Sequence, residues 1–206
     1  MTKGRFVTLE GGEGVGKSTQ LKALAKALRG LGLEVLETRE PGGSPGAEAI
    51  RSLLLHEQKW TAEAEALLFA AARADHVERT IKPAIEKGYW VLSDRFVDSS
   101  IAYQGGAGGL GFESIRRLHK FGSHNFLPDR TLLLRLRIDE GKARASRRDG
   151  EGSDLIGGRG ADYHEAVAAA FNRLAEEEPE RFRVIDASGS PEDVTQRLLA
   201  SVEDLM

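Results

Sequence analysis

The chain has 206 residues, 29 Lys+Arg against 32 Asp+Glu, a net charge of −3 and no cysteine. That length suits one domain with a sizeable core, or a core plus a small mobile subdomain. The charge balance leaves no basic surplus for a nucleic-acid footprint, and the absence of cysteine excludes disulfides and thiolate metal sites.

Arg5-Phe6-Val7-Thr8-Leu9-Glu10 is short and apolar, as a buried strand should be. It runs into Gly11-Gly12-Glu13-Gly14-Val15-Gly16-Lys17-Ser18, followed by Thr19, which fits G-x-x-x-x-G-K-[ST]. The N–H groups of such a loop wrap the phosphates of a nucleotide, the lysine adds a mobile charge, and the Ser18 hydroxyl suits Mg²⁺. Leu21, Leu24, Ala25 and Leu28 then recur at helical spacing, with Gly30 and Gly32 as stop signals. Residues 34–38 read as a second strand and 47–55 as a short helix. A long helix follows over 62–87, which Pro83 should kink and Gly88 should end.

Tyr89 to Ser93 form a third strand ending on Asp94, and residues 113–121 are helical. A fourth strand covers 130–138. A basic helix and a glycine-rich segment fill 140–160, and a further helix covers about 162–178. Residues 183–186 are a fifth strand, and 191–205 make the closing helix. The fold expected is α/β, of the P-loop NTPase kind: a five-stranded parallel sheet covered by helices on both faces, in one domain with a small mobile lid. Ligands then bind beyond the carboxyl ends of the strands. No run of 18 apolar residues and no leader-like segment occurs, so a cytoplasmic protein away from membranes is expected.

A GTPase would carry D-x-x-G and N-K-x-D, but Asp94 is followed by Arg95-Phe96-Val97, and Asn125 and Asn172 lack the downstream pattern. A small-molecule kinase needs a second substrate pocket and positive charge over the transferring phosphoryl group. An apolar strand ending in Asp94 has the geometry that holds Mg²⁺ or its water, although a helix N-cap would use the same residue. Arg95 offers a bidentate grip on phosphate, with a solvated salt bridge as the plain alternative.

Five segments together resemble the thymidylate kinase family. Asp94-Arg95-Phe96-Val97-Asp98-Ser99-Ser100-Ile101-Ala102-Tyr103-Gln104 is similar to its D-R-[YHF]-x-x-S-x-x-A-Y-Q signature, and Thr38 to Gly43 to its T-R-E-P-G-G segment. The phosphate loop, Arg51 to Leu55 and Phe69 to Arg73 match in the same order, so the resemblance runs over essentially the whole chain.

The resemblance implies transfer of a phosphoryl group from ATP-Mg²⁺ to dTMP. On it, Phe69 stacks on the thymine ring, although its apolar helix alone reads as core. Arg73, on the same helix face, donates to the base carbonyl. Glu13 accepts from the 3′-hydroxyl, Tyr103 packs under the sugar and excludes a 2′-hydroxyl, and Ser99, Ser100 and Gln104 are polar contacts. Arg51 and Arg95 grip the acceptor phosphate, and Pro41 turns close to it, a turn ordered by Arg39 and Glu40. Lys17, Arg95 and lid arginines are the catalytic charges, with Ser18 and Asp94 holding the metal. Adenine is expected between Arg144 and the loop Asp186-Ala187-Ser188-Gly189.

This phosphate loop has no arginine, which in the family goes with arginines in the lid. Arg144, Arg147 and Arg148 supply them within a lid at about 142–160. The family's lid pattern D-R-[FI]-E stands here as Asp154-Leu155-Ile156-Gly157, with Arg159 as a possible substitute. The family is dimeric, and Leu67, Leu68 and Ala71 are candidates for a homodimer face. Two other readings stay open: a kinase of another nucleotide or nucleoside, the latter with Glu10 as base, and a nucleotide-dependent switch with no small acceptor.

Overall fold

The structure, a computed structural model, describes residues 3–57, 60–136 and 160–206. Strands β1 (Arg5–Glu10), β2 (Val35–Arg39), β3 (Trp90–Asp94), β4 (Arg130–Arg135) and β5 (Phe182–Asp186) form one sheet in the order β2-β3-β1-β4-β5. All four pairings are parallel, as expected from strands alternating with helices. β4 covers Arg130–Arg135, and the rest of the expected strand beyond Leu136 lies outside the described residues. Arg135 pairs with Asp186, the last residue of β5, so Leu136 has no ladder partner.

The helices are α1 (Lys17–Gly30), α2 (Pro45–Ser52), α3 (Ala62–His76), α4 (Lys82–Glu86), α5 (Val97–Ser100), α6 (Phe112–Ser123), α7 (Ala161–Glu177) and α8 (Pro191–Ala200). The long helix expected over 62–87 is indeed interrupted. The break is a π turn at Val77–Ile81, which places Pro83 in the first turn of α4, where a missing N–H costs nothing. The closing helix ends at Ala200, short of the expected 205. The chain turns there so that the Leu205 carbonyl can accept from Arg5 and Asp204 can pair with Arg130.

Period-two alternation along the strands divides the core. Phe6, Val91 and Leu133 face α3, α6 and α7, packing with Val77, Ile115, Phe171 and Leu174. Val7, Leu9, Leu92, Leu132 and Leu134 face α1 and α8, packing with Leu24, Leu28, Val194 and Leu198. The sequence pattern gave no sign of α5 or the π turn after it, Ile101–Ala107. Val97, Asp98, Ser99 and Ser100 are all buried, so no polar face marks the helix. Among the described residues, no helix is long and apolar enough to cross a membrane.

Candidate active site

The carboxyl ends of β1, β2, β3 and β5 open on one edge of the sheet. The register sets Leu9 beside Asp94, so the loop leaving β1 lies directly against the chain leaving β3. Gly11 has φ +134, and a Cβ there would meet the Leu134 carbonyl at 2.4 Å. Gly16, at φ 92, caps the N-terminus of α1 in the left-handed region. The loop thus brings backbone N–H groups and a helix N-terminus to one point, which suits an anionic polyphosphate.

Two clefts meet here. Gly14, Val15, Gly16, Lys17 and Thr19 line one of them, together with Ala187, Gly189, Pro191 and Val194 from the β5–α8 connection. Ala187 and Gly189 belong to the loop beside which adenine is expected. Gly11 and Gly12 do not line this cleft; their carbonyls instead accept from the Lys17 ammonium at 3.1 and 2.7 Å. The second cleft is lined by Pro41, Arg51, Phe69, Arg73, Ser99, Ser100, Tyr103 and Gln104, together with Arg39, Glu40, Leu55 and Phe96. Glu13, Ser18, Asp94 and Arg95 line both. Every residue assigned to the acceptor therefore falls on one cavity. Arg144, Arg147, Arg148 and Arg159 lie outside the described residues.

The shared wall is densely paired. Ser18 Oγ donates to Asp94 Oδ2 at 2.6 Å. Arg95 has a left-handed backbone, φ 72, which costs on the order of 1 kcal/mol for a residue with a Cβ. Its guanidinium donates to Glu13 Oε1 (2.5 Å), Ser99 Oγ (3.0 Å), Gly11 O (3.3 Å) and the Tyr103 hydroxyl (3.3 Å). It also lies over the Tyr103 ring, 5.0 Å from the centroid, while the Tyr103 hydroxyl donates to Glu13 Oε1 at 3.2 Å. Burial pushes Arg95 toward the neutral form, but Tyr103, Glu13, Asp94 and Glu10 together hold it protonated above its ordinary range. Burial, then the charge of Arg95, lower Lys17 to about 8.

Deeper in the acceptor cleft, Arg73 donates to Glu40 at 2.8 Å and to Ser100 Oγ at 2.7 Å. Arg51 donates to the Pro41 carbonyl at 2.6 Å, tying α2 to the turn after β2, and Gln104 donates to Glu65 at 2.8 Å. Phe69 is only half-buried and stands on the cleft wall. The apolar run Leu67-Leu68-Phe69 is therefore not core; Leu67 is 55% exposed.

Glu10 proves to have a different job from the catalytic base considered for a nucleoside kinase. It is fully buried and accepts from Phe96 N at 2.7 Å and Ser99 Oγ at 2.6 Å, so it anchors the start of α5. Burial, then Asp98, raise it to about 8. The sequence also gave no role to Phe96 or His76. Both are buried, Phe96 on the cleft wall and His76 behind it, with nothing in local periodicity to mark them.

A phosphate loop at the head of a parallel sheet, sharing a charged wall with a second, guanidinium-lined cleft, defines a P-loop phosphotransferase acting on a small acceptor. The thymidylate kinase family model matches residues 9–198. The thymidylate kinase of Rhizorhabdus wittichii is 61% identical over 205 residues, 98% of this chain and 99% of that protein. Thymidylate kinases of Rhodopseudomonas palustris strain TIE-1 (48% identity, 97% of this chain, 89% of that protein) and Mesoplasma florum (47%, 92% and 90%) are similar over nearly as much. The chain belongs to the thymidylate kinase family.

Proposed function

We propose that this protein transfers the γ-phosphoryl group of ATP to dTMP, giving dTDP and ADP for dTTP synthesis. The observation that carries the reading is the wall of Glu13, Ser18, Asp94 and Arg95 common to both clefts, because phosphoryl transfer needs donor and acceptor to meet in line. The triphosphate lies along Gly11–Ser18, and the dTMP phosphate lies opposite, gripped by Arg95 and Arg51. That phosphate is already largely ionised at neutral pH, so no strong general base is required. The engagement of Glu10 with α5 supports a phosphate acceptor over a nucleoside hydroxyl.

Lys17 exchanges the Gly11 and Gly12 carbonyls for phosphate oxygens and neutralises charge there. The Ser18 hydroxyl and the Asp94 carboxylate, 2.6 Å apart, fit Mg²⁺ in a sphere completed by nucleotide oxygens and water. That ion would spread the charge of the transferring group.

On the acceptor side, Phe69 stacks on thymine, Arg73 donates to a base carbonyl, and Ser99, Ser100 and Gln104 give polar contacts. Tyr103 closes the space a 2′-hydroxyl would need, and Glu13 accepts from the 3′-hydroxyl. Arg144, Arg147 and Arg148, in a lid over 142–160 of the single domain, bring the arginine charge that the phosphate loop lacks. The protein acts in the cytoplasm as a homodimer through α3, where Leu67 and Ala71 are exposed and Leu68 is half-buried.

Steady-state phosphoryl transfer from ATP to dTMP, dUMP, the ribose analogue of dTMP, CMP, AMP and GMP tests the assignment. dTMP should be the best acceptor by a wide margin. A purine or cytidine monophosphate taken equally well would sink it.

A further inference from the structure

Beneath the acceptor cleft lies a relay of buried polar side chains that no substrate contact absorbs. His76 follows Arg73 by one helical turn on α3 and has no exposed surface. Its Nδ1 lies 3.2 Å from Glu40 Oε1, and since a carboxylate only accepts, the imidazole donates. Its Nε2 lies 2.7 Å from Thr38 Oγ1 at the end of β2. The other oxygen of Glu40 accepts from Arg73 Nε at 2.8 Å. One carboxylate, itself 6% exposed, thus joins the imidazole to the guanidinium.

The relay fixes Arg73 on three sides. Nε is held by Glu40, Nη2 by Ser100 Oγ at 2.7 Å and Phe96 O at 3.4 Å, and the guanidinium lies 5.4 Å above the centre of the Phe96 ring. Nη1 has no hydrogen-bond partner among the described residues, and Arg73 lines the acceptor cleft. A guanidinium is a rigid fork, so holding one edge sets the direction of the other.

The turn leaves no slack for the imidazole. A Cβ on Gly43 would stand 2.3 Å from His76 Nε2 and 2.4 Å from Thr38 Oγ1. Thr80 Oγ1 donates to the Gly43 carbonyl at 2.8 Å and holds that turn against the π turn after α3.

We propose that His76 is a positioning residue for the acceptor. Through Glu40 it fixes Arg73 so that Nη1 faces the base, and it thereby sets the affinity for the pyrimidine nucleotide without touching it. This rests on the reading of Arg73 as a base contact. Pre-organising one donor lowers the ordering cost of binding, so the effect falls on acceptor affinity and not on turnover.

A double-mutant cycle tests it, with KM for dTMP, KM for ATP and kcat measured in each variant. His76→Ala should raise KM for dTMP about 10-fold, with kcat and KM for ATP within about 2-fold. In an Arg73→Ala background the same change should add less than about 2-fold, because the relay then has nothing to position. His76→Asn, whose amide can replace the Nδ1 donor, should recover most of the affinity. If His76→Ala does not fold, Thr38→Val, which removes the Nε2 partner, is read in the same cycle, and it should raise KM for dTMP and lose its effect once Arg73 is gone. Multiplicative effects of His76 and Arg73, or equal loss on both substrates, overturn the proposal. An Arg73→Ala enzyme with unchanged KM for dTMP overturns instead the base-contact reading beneath it.

Discussion

Around the acceptor cleft, the charged and amide side chains are held by other parts of the protein: Arg95 by Glu13, Arg73 by Glu40, Arg51 by the Pro41 carbonyl and Gln104 by Glu65. Around the phosphate loop some of the bonds lie within the loop itself. Lys17 bonds carbonyls of its own loop, and Ser18 bonds Asp94. On the proposed function, those groups would change partners when a polyphosphate and a metal arrive, whereas the acceptor groups would keep theirs and offer what is left. Selectivity would then rest on a rigid network on one side, and charge neutralisation on exchangeable groups on the other. Removing a donor-side group should cost turnover and spare the fold, while removing an acceptor-side group should cost affinity and stability together.

Lys17→Ala tests the donor side and should give the largest effect. kcat should fall on the order of 10²-fold or more. Its partners are loop carbonyls that can turn to water, so the melting temperature should move little. Wild-type turnover would sink the loop assignment, and a large loss of stability would erase the contrast between the clefts.

Arg95→Ala is the acceptor-side counterpart. It should cut kcat/KM for dTMP by about 10²-fold, and thermal unfolding should occur at lower temperature. The loss leaves Glu13 with the Tyr103 hydroxyl and strips the guanidinium from beneath Ser99. A variant that lost activity at unchanged melting temperature would place Arg95 with the exchangeable groups.

Tyr103→Ala should have a smaller effect on dTMP and a qualitative one on selectivity, namely partial acceptance of the ribose analogue. The ring is 4% exposed and packs edge-on to Tyr163 and Phe171, so core contacts set its plane while its hydroxyl bonds Glu13 of the loop. Unchanged discrimination by the alanine variant would remove Tyr103 from sugar selection.

The two halves were also unequally legible in the sequence. The donor half is written in contiguous residues, because a loop between a strand and a helix needs particular glycines at fixed spacing. The sheet was equally readable, since buried parallel strands are apolar runs. The acceptor half is assembled from β2, α2, α3 and α5, and only the family resemblance brought those residues together. Periodicity alone put Phe69 in the core, because an apolar residue on a cleft wall and one in the core give the same pattern. His76, Phe96 and the capping role of Glu10 were invisible, since each depends on contacts between residues distant in the chain.

A further test asks whether the rigid half is also the half that acid loosens. His119 on α6 is 4% exposed and stands edge-on to Phe96, 5.6 Å between ring centres, directly behind the cleft. Its Nε2 donates to the Phe126 carbonyl at 2.8 Å, and its Nδ1 has no partner among the described residues. Burial, then the positive charge of Arg73, lower its pKa to about 4. The folded value lies below the ordinary 6.5, so the unfolded chain takes up the proton first. The stability tied to neutral His119 is whole above pH 6.5 and is lost as pH falls toward about 4, at most about 3 kcal/mol. Glu10, raised to about 8, acts with the opposite sign: its contribution is whole below its ordinary 4.5 and is lost as pH rises to about 8. Denaturant midpoints of the wild type and His119→Gln at pH 7.5 and pH 5 separate the two, because only the first term is changed by the substitution. Going from pH 7.5 to pH 5, the stability of the wild type should fall relative to that of the variant, the opposing Glu10 contribution being common to both, and addition of dTMP should raise the stability of both, since ligand binding favours the folded state. Equal slopes in the two proteins would move the acid-sensitive group away from the wall behind Phe96.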